Sequence, residues 1–315
     1  MDMKKLVSLF LIFTIIFAFS ACGGKNDKPA EFYALKDPSG WGLVKLMTDR
    51  SYAYSVTFCD TQEEIAEALK NGSVDFAALP VDTAVKLFNE TNGEIQIVAI
   101  TSTGCYHMLS KDKEIKSLTA LEGRKIFVSK TEPLAQRFIA YLLDNADGGK
   151  VKAETVLADS NDEVVKKSLD EGNDTYVVPV SAAGEVLSKE SETGVIIGLK
   201  GAWEKLTGSQ FAYGCIVVRK EYAEKNPERI TELREHAEVS LNFMSEEGTG
   251  GKALSESGLF ENKTIAENII PGCAFTYIDG DDAVSCVTDT LTRLYGEDSA
   301  EIGGEIPGSG LFCDV

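Results

Sequence analysis

Polar and charged side chains fall in five short segments, each directly after a stretch that predicts a buried strand. Four of the segments lead into a predicted helix start, where free backbone N–H groups bind anions. Acidic side chains in them would suit a cationic or amine-bearing solute if they faced inward. The pattern predicts a binding site for a small solute of unsettled charge, formed by Ser39, Gly40, Trp41, Pro80, Val81, Asp82, Thr101, Ser102, Thr103, Lys130, Thr131, Glu132, Val180 and Ser181.

Several of these residues have a second interpretation. Trp41 either stacks on a planar ligand or anchors a helix start in the core, and the sequence favours neither role. Lys130 is the only basic residue in the five segments and so the candidate partner of an anionic group, although a long lysine is more often a solvated surface charge. Asp82 and Glu132 either face the solute or only stabilise their helix starts.

The elements that position these segments occur twice in the chain. Residues 74–87, VDFAALPVDTAVKL, predict a buried strand, a turn at Pro80 and a helix, and residues 175–186, TYVVPVSAAGEV, repeat the pattern with Pro179. A similar helix with a glycine at its end precedes each copy. A repeat of this length is too coarse for a solenoid. It predicts two similar α/β lobes whose strand-to-helix loops face each other.

Strands and helices alternate through both halves, which is typical of parallel sheets covered by helices. We expect the chain to cross between the lobes at residues 103–107 and 213–216. Lobe 1 is then discontinuous, with residues 31–104 plus 215–315, and lobe 2 comprises residues 105–214. Residues 194–199 are predicted to be a strand, the chain after Glu221 mostly helical, and the tail 303–315 a surface wrap.

Residues 1–21 predict an export signal, because Lys4 and Lys5 precede an apolar run and small residues stand directly before Cys22. The segment is similar to bacterial lipoprotein signals, in which cleavage falls before the cysteine and its thiol is acylated. An uncleaved anchor helix is the alternative. Residues 22–30 predict a flexible tether. We therefore expect a body that is lipid-anchored at the outer face of the cytoplasmic membrane.

The charge balance bears on the partners. After the signal, 29 basic residues stand against 49 acidic ones, a net charge of −20, which disfavours nucleic acid and anionic lipid. The six further cysteines are Cys59, Cys105, Cys215, Cys273, Cys286 and Cys313, and the absence of a CxxC pair makes a zinc site improbable. An exported protein permits a Cys105–Cys215 disulfide between the two crossing segments; free thiols are the alternative.

The sequence gives little support to catalysis. His107 and His236 are its only histidines, and it lacks the HExxH, GxSxG and P-loop motifs. The run GTGGK at residues 248–252 resembles a phosphate-binding loop, but no predicted strand precedes it, so an ordinary loop is expected there. We predict a protein that is not an enzyme and needs no cofactor or metal.

The order of motifs along the chain carries a family resemblance. A lipoprotein signal is followed by DPSGWGLVKLM, EEIAEALKNGSVDFAALP, SLTALEGRKIFVSKTEPLAQRF, VVPVSAAGEVL and GCIVVRKEYAEKNPE. This order resembles the solute-binding lipoproteins of bacterial ABC importers, in the nitrate, sulfonate, taurine and thiamine-precursor branch of the type II periplasmic binding proteins. The likeness covers nearly the whole chain after the signal.

The resemblance implies an α/β fold of two lobes joined by two hinge strands. It also implies a monomer that closes on a sulfonate, nitrate or pyrimidine/thiamine-precursor type of solute and docks on an ABC permease. Two departures leave the ligand class open: the loop 129–133 has no glycine, and Val178-Pro179 replaces a Glu-Pro turn. The alternatives are a surface sensor or adhesion lipoprotein on the same fold and, less favoured, a pyrimidine- or menaquinone-precursor enzyme of related fold.

Overall fold

The computed structural model describes residues 28–146, 149–170, 174–189, 192–296 and 298–315, so the predicted signal and Cys22 lie outside the described residues, as does most of the tether. The strands are β1 (Ala30–Leu35), β2 (Tyr54–Cys59), β3 (Phe76–Pro80), β4 (Ile95–Ser102), β5 (Tyr106–Ser110), β6 (Lys125–Ser129), β7 (Glu154–Ala158), β8 (Thr175–Pro179), β9 (Gly194–Ile197), β10 (Gly214–Arg219) and β11 (Phe275–Ile278).

Helices cover these strands. They are α1 (Pro38–Trp41), α2 (Val44–Thr48), α3 (Gln62–Asn71), α4 (Val81–Glu90), α5 (Pro133–Asp144), α6 (Asn161–Asp170), α7 (Val180–Ser188), α8 (Leu199–Thr207), α9 (Lys220–Lys225), α10 (Pro227–Ser245), α11 (Gly250–Glu256), α12 (Lys263–Cys273) and α13 (Gly280–Tyr295). In the part of the chain that the structure describes, none of the helices is long and apolar enough to cross a membrane.

The strands form two sheets with corresponding strand orders. The first sheet runs β11-β4-β10-β3-β1-β2 and the second β7-β6-β8-β5-β9. Strands β1, β2 and β3 are parallel, as are β6, β7 and β8. The next strand, β10 in the first sheet and β5 in the second, is antiparallel to its neighbours. The predicted α/β fold class is confirmed. The sheets are mixed, because β10 and β5, which lie beside the segments that cross between the sheets, run opposite to their neighbours.

Local sequence accounts for the elements around the predicted loops. The Thr61 hydroxyl accepts a hydrogen bond from the Glu64 N–H at 3.3 Å and caps α3, which ends at Gly72 in the left-handed region with φ of 75°. Strand β3 is buried along its whole length, as its apolar run predicts. The predicted helix end at a glycine and the predicted buried strand are both confirmed.

Several predicted elements were wrong. The strand predicted at residues 194–199 ends at Ile197, and helix α8 follows it. The helix predicted from Trp41 is two short helices, α1 and α2. The loop predicted at residues 248–252 contains the start of α11. There a Cβ on Gly250 would lie 2.2 Å from the Met244 carbonyl oxygen, so this glycine permits close packing.

Apolar packing joins the helices to both faces of the sheets. Between α5 and α8 the Trp203 indole of α8 stacks on Phe138 of α5, with ring centroids 5.4 Å apart. It also contacts Phe211, with ring centroids 5.2 Å apart. The tail packs along β4, where the Cys313 N–H donates to the Ile97 carbonyl at 2.8 Å. This packing fixes the strand ends from which the loops leave.

Candidate functional site

A cleft of about 760 Å³ lies where loops of the two sheets meet. One wall follows the carboxyl ends of β1 and β3, and the other follows those of β6 and β8. The cleft therefore has the position that open α/β sheets reserve for ligands. Its polar lining is Lys36, Asp37, Asp60, Thr61, Gln62, Glu63, Asp82, Cys105, Tyr106, Thr131, Glu132, Asn161, Ser181 and Tyr213.

Five of the fourteen predicted binding residues line this cleft: Pro80, Asp82, Thr131, Glu132 and Ser181. The others lie behind it or at the surface, and they are Ser39, Gly40, Trp41, Val81, Thr101, Ser102, Thr103, Lys130 and Val180. The structure thus brings together three of the five segments that the sequence singled out, those at residues 80–82, 130–132 and 180–181, and only some of their side chains. The binding role of each residue stays a prediction.

Asp37 provides the first carboxylate of the cleft. It caps α1 and accepts hydrogen bonds from the Ser39 N–H at 2.8 Å, from the Ser39 hydroxyl and from the Tyr213 hydroxyl at 2.7 Å. Burial raises the pKa of Asp37, and these hydrogen bonds oppose the rise. Ser39 is therefore a support for Asp37, and its carbonyl in turn accepts from the Thr101 hydroxyl at 3.0 Å.

Asp82 provides the second carboxylate, in the first turn of α4. One oxygen accepts from the Thr83 N–H at 2.7 Å, and the other accepts from the Tyr295 hydroxyl at 3.1 Å. Burial raises the pKa of Asp82, again against the effect of its hydrogen bonds. Because Tyr295 lies on α13, the last long helix fixes the direction in which this carboxylate points.

Glu132 provides the third carboxylate, from the opposite wall. Its oxygens accept from the Tyr106 hydroxyl at 3.0 Å and from the Asn161 side-chain amide at 2.8 Å. Burial raises the pKa of Glu132, and repulsion from Asp37 and Asp82 raises it further. Glu132 therefore lies within electrostatic reach of both carboxylates of the opposite wall.

The two proline turns have the same backbone arrangement. The Val81 N–H donates to the Tyr213 carbonyl at 2.7 Å, and the Val180 N–H donates to the Cys105 carbonyl at 2.9 Å. These first helical N–H groups, which the sequence suggested for an anion, are instead bonded to the crossing segments. The side chains of Val81 and Val180 are buried, and neither lines the cleft.

The structure selects one interpretation for two further residues. Trp41 is 2% exposed and packs edge-to-face on Phe260 at 5.0 Å, so it is a core anchor and does not line the cleft. Lys130 is an exposed residue whose ammonium pairs with Asp159 at 2.5 Å. Lys130 is therefore not positioned in this structure as the cleft's partner for an anionic group.

Basic groups are scarce around the cleft. Among the described residues that line it, Lys36 alone is basic, and its ammonium pairs with Asp60 at 2.7 Å. The same lining carries five carboxylates, those of Asp37, Asp60, Glu63, Asp82 and Glu132. No cluster of three or more histidine, cysteine or acidic residues in the described ranges is placed to hold a metal ion.

Sequence reasoning missed most of the lining residues, among them Asp37, Tyr106, Tyr213 and Asn161. A signal existed for Asp37, since an aspartate directly before proline is typical of a capped helix start. The tyrosines lie in or beside the predicted crossing segments, which were interpreted only as hinges. Cys105 and Cys215 are buried free thiols, which is the alternative to a disulfide that the sequence left open.

Comparison with known proteins identifies the architecture. No family model matches the sequence, and no curated protein matches it. An ABC transporter structure from Parabacteroides distasonis superposes with a TM-score of 0.74 at 17% identity, over 91% of this chain and 99% of that one. The periplasmic aliphatic sulphonate binding protein SsuA from Escherichia coli superposes with a TM-score of 0.64 at 15% identity, over 85% and 91%. This chain has the fold of the type II periplasmic binding proteins.

The periplasmic nitrate-binding protein NrtA from Synechocystis PCC 6803 has the same type II fold, with a TM-score of 0.58 at 12% identity, over 88% of this chain and 84% of that one. The fold-level resemblance inferred from the motif order is therefore confirmed. Similarity at these identities establishes the fold alone, and the side chains of the type II cleft must supply the argument for function.

Proposed function

We propose that this protein is an extracytoplasmic solute-binding lipoprotein that captures a small solute between two lobes and delivers it to an ABC importer. The observation that carries the proposal is the cleft of about 760 Å³, to which loops of both sheets contribute. Small-molecule sites are concave and measure about 300–1,000 Å³. The type II neighbours support the proposal, since they include an ABC transporter protein, a sulphonate-binding protein and a nitrate-binding protein.

The lobes of the proposal are residues 31–104 plus 215–315 and residues 105–214, with hinge bending at the two crossings. Both crossings contain a glycine that has no room for a side chain. A Cβ on Gly104 would lie 2.3 Å from the Gly272 carbonyl oxygen, and one on Gly214 would lie 2.6 Å from Ser39 Cα. Close backbone packing at both crossings supports a defined hinge there.

The membrane anchor of the proposal is acylated Cys22, which places a monomeric body beside its permease at the outer face of the cytoplasmic membrane. The support is the sequence of the first 22 residues. Expression of the full chain in a bacterial host tests it. We expect the wild type in the membrane fraction with the mass of a lipid-modified amino terminus, and Cys22→Ala without that mass. An unmodified Cys22 would contradict the anchor.

The solute classes suggested by the resemblance are not equally supported by the lining. Sulfonate and nitrate need positive groups or free N–H donors, and the charged groups of this lining are mostly carboxylates. Lys36, the one lysine among the described residues of the lining, already has an anionic partner. Among the suggested classes we therefore favour organic solutes of the pyrimidine or thiamine-precursor type over small anions.

Solute capture is tested by mass spectrometry without assuming a ligand. The full chain in mild detergent is incubated with a bacterial small-molecule extract, washed, and unfolded to release what it holds. Ser181→Trp fills the cleft from the start of α7, and Ser309→Trp places the same side chain on an exposed residue of the tail. We expect one enriched compound from the wild type and from Ser309→Trp, and none from Ser181→Trp.

Two results would overturn solute capture in the cleft. If Ser181→Trp folds and releases the same compound, the solute is bound elsewhere. If the wild type enriches nothing from extracts or growth media, capture fails, and the sensor or adhesion alternative on the same fold gains support.

A further inference from the structure

We propose that the solute of this cleft is a small organic cation that carries several N–H donors, such as a diamine or a guanidinium compound. The inference rests on the proposed function, because it names the chemical class of the ligand for the same cleft. Three observations support it: the charge balance of the lining, the hydrogen-bonding capacity left unused there, and the spacing of the carboxylates.

The charge balance of the lining favours a cationic solute. Asp37, Asp82 and Glu132 have hydroxyl and amide partners, and the structure pairs none of the three with a basic side chain among its described residues. Hydrogen bonds from neutral groups only partly offset the cost of placing carboxylates together in a desolvated cleft. A positive charge on the solute would remove that cost when it binds.

Around the three carboxylates the unused hydrogen-bonding capacity is mainly that of acceptors. Tyr213, Tyr106 and Tyr295 each direct the single hydroxyl proton to a carboxylate, so these donors are already used. Asn161 donates its amide to Glu132, while its own Oδ1 is buried and has no partner among the described residues. Asp37, Asp82 and Glu132 each keep at least one oxygen that accepts a single hydrogen bond in the structure, so each can accept a further one. A ligand rich in N–H groups fits these acceptors.

The spacing of the carboxylates distinguishes an organic cation from a metal ion. Asp37 and Asp82 each influence Glu132 electrostatically, yet the described residues contain no acidic cluster tight enough to coordinate one metal ion. Positive charge spread over a molecule with separate N–H groups meets such an arrangement better. The rings of Tyr106 and Tyr213, with centroids 6.4 Å apart, line the same space and are attractive surfaces for a cationic nitrogen.

A matched set of probes tests the inference. The full chain in mild detergent at 150 mM NaCl is titrated separately with 1,5-diaminopentane, agmatine, 1,5-pentanediol and glutarate. Binding of each probe is measured by calorimetry and by the shift in Tm. The diamine, the diol and the diacid share one carbon chain length and differ in charge. We expect the diamine or agmatine to raise Tm, and the diol and glutarate to leave it unchanged.

Variants locate the effect. Asp82→Asn and Glu132→Gln should each weaken binding of the cationic probe at least tenfold, because each removes a charge but keeps the size of the side chain. Asp159→Asn removes an exposed carboxylate that pairs with Lys130 outside the cleft and should leave the affinity unchanged. Equal loss in all three variants would show nonspecific attraction to an acidic protein and would overturn the inference.

The outcomes separate the inference from the proposed function. Binding of glutarate, or silence towards both cationic probes, overturns the cationic class. An extract compound that is captured by the wild type and carries no positive charge also overturns it, while the proposed capture function stands. Failure to capture any compound removes the proposed function itself.

Discussion

The two sheets have corresponding strand orders but contribute different chemistry to the cleft. The first sheet's wall provides Asp37 and Asp82, and the second provides Glu132 with Asn161 and Ser181. Both walls use the same turn, in which a proline ends the third parallel strand and the next N–H bonds to a crossing segment. The repeated backbone therefore decides where the loops meet, while the side chains decide what they bind.

The two crossings provide the largest expected effect. Gly104→Ala and Gly214→Ala should each destabilise the protein by about 1–3 kcal/mol, the usual cost of overpacking, because the added Cβ meets backbone atoms in both. Urea unfolding of the full chain measures this. Gly201→Ala in α8, which has open space around it, is the control and should stabilise by about 0.5–1 kcal/mol. If only one crossing glycine were sensitive, the two crossings would not be equivalent.

Neutralising a carboxylate on the first wall should stabilise the unliganded protein. At neutral pH we expect Asp82→Asn to gain about 0.5–2 kcal/mol, the range of common stabilising substitutions. The reason is the raised pKa of Asp82: the folded chain holds its proton more tightly than the unfolded chain, so stability is lost as pH rises through that pKa. Thermal unfolding from pH 4 to 8 should show a gain that shrinks towards acid.

The pH profile includes every titratable group that faces this site. These are Asp37, Glu132, Asp60, Glu63, Lys36, Cys105, Tyr106, Tyr213 and Tyr295. Because Asp37 and Glu132 have pKa values shifted in the same direction, Asp82→Asn removes only part of the pH dependence. A variant less stable than the wild type at every pH would show that the Asp82 charge is compensated.

The two walls should also be coupled through repulsion. Asp82→Asn and Glu132→Gln each relieve the same repulsion, so the double variant should gain less than the sum of the single variants. Neighbouring charges of this kind couple by about 0.5 kcal/mol or more. A double-mutant cycle by urea unfolding measures the difference. Additive gains would mean that the two carboxylates do not influence each other across the cleft.

The smallest effect is expected at Lys130, which the sequence suggested as an anion partner. Its side chain is 55% exposed and pairs with Asp159, also exposed, so Lys130→Met should change neither stability nor solute affinity measurably. Calorimetry with the captured solute tests this. A large loss of affinity would show that Lys130 contacts the solute and would contradict the assignment of the cleft wall.

Much of the fold could be predicted because burial follows local sequence. Apolar runs indicated most strands, and the two strands that end in a proline turn revealed the repeat. The insertion of β10 between β3 and β4 could not be predicted, because strand pairing depends on residues far apart in the chain. Helix α8 was missed since the apolar run of β9 continues into its first residue, Leu199.

The site shows the same limit. Asp82 and Glu132 could be found because each follows a strand directly in sequence. The hydrogen bond between Tyr213 and Asp37 spans 176 residues, and the one between Asn161 and Glu132 spans 29 residues. No local sequence pattern predicts either hydrogen bond. Trp41 illustrates the reverse case: the same local pattern suits a ligand-stacking residue and a core anchor, and only the packing against Phe260 separates them.

A crystal structure of the full chain with the solute captured from extract tests the central claim most directly. We predict electron density for one small molecule in the cleft, with nitrogen atoms within hydrogen-bond distance of Asp82 on one wall and Glu132 on the other. Density for that molecule outside the cleft, or for an anion bound away from these carboxylates, would contradict the account.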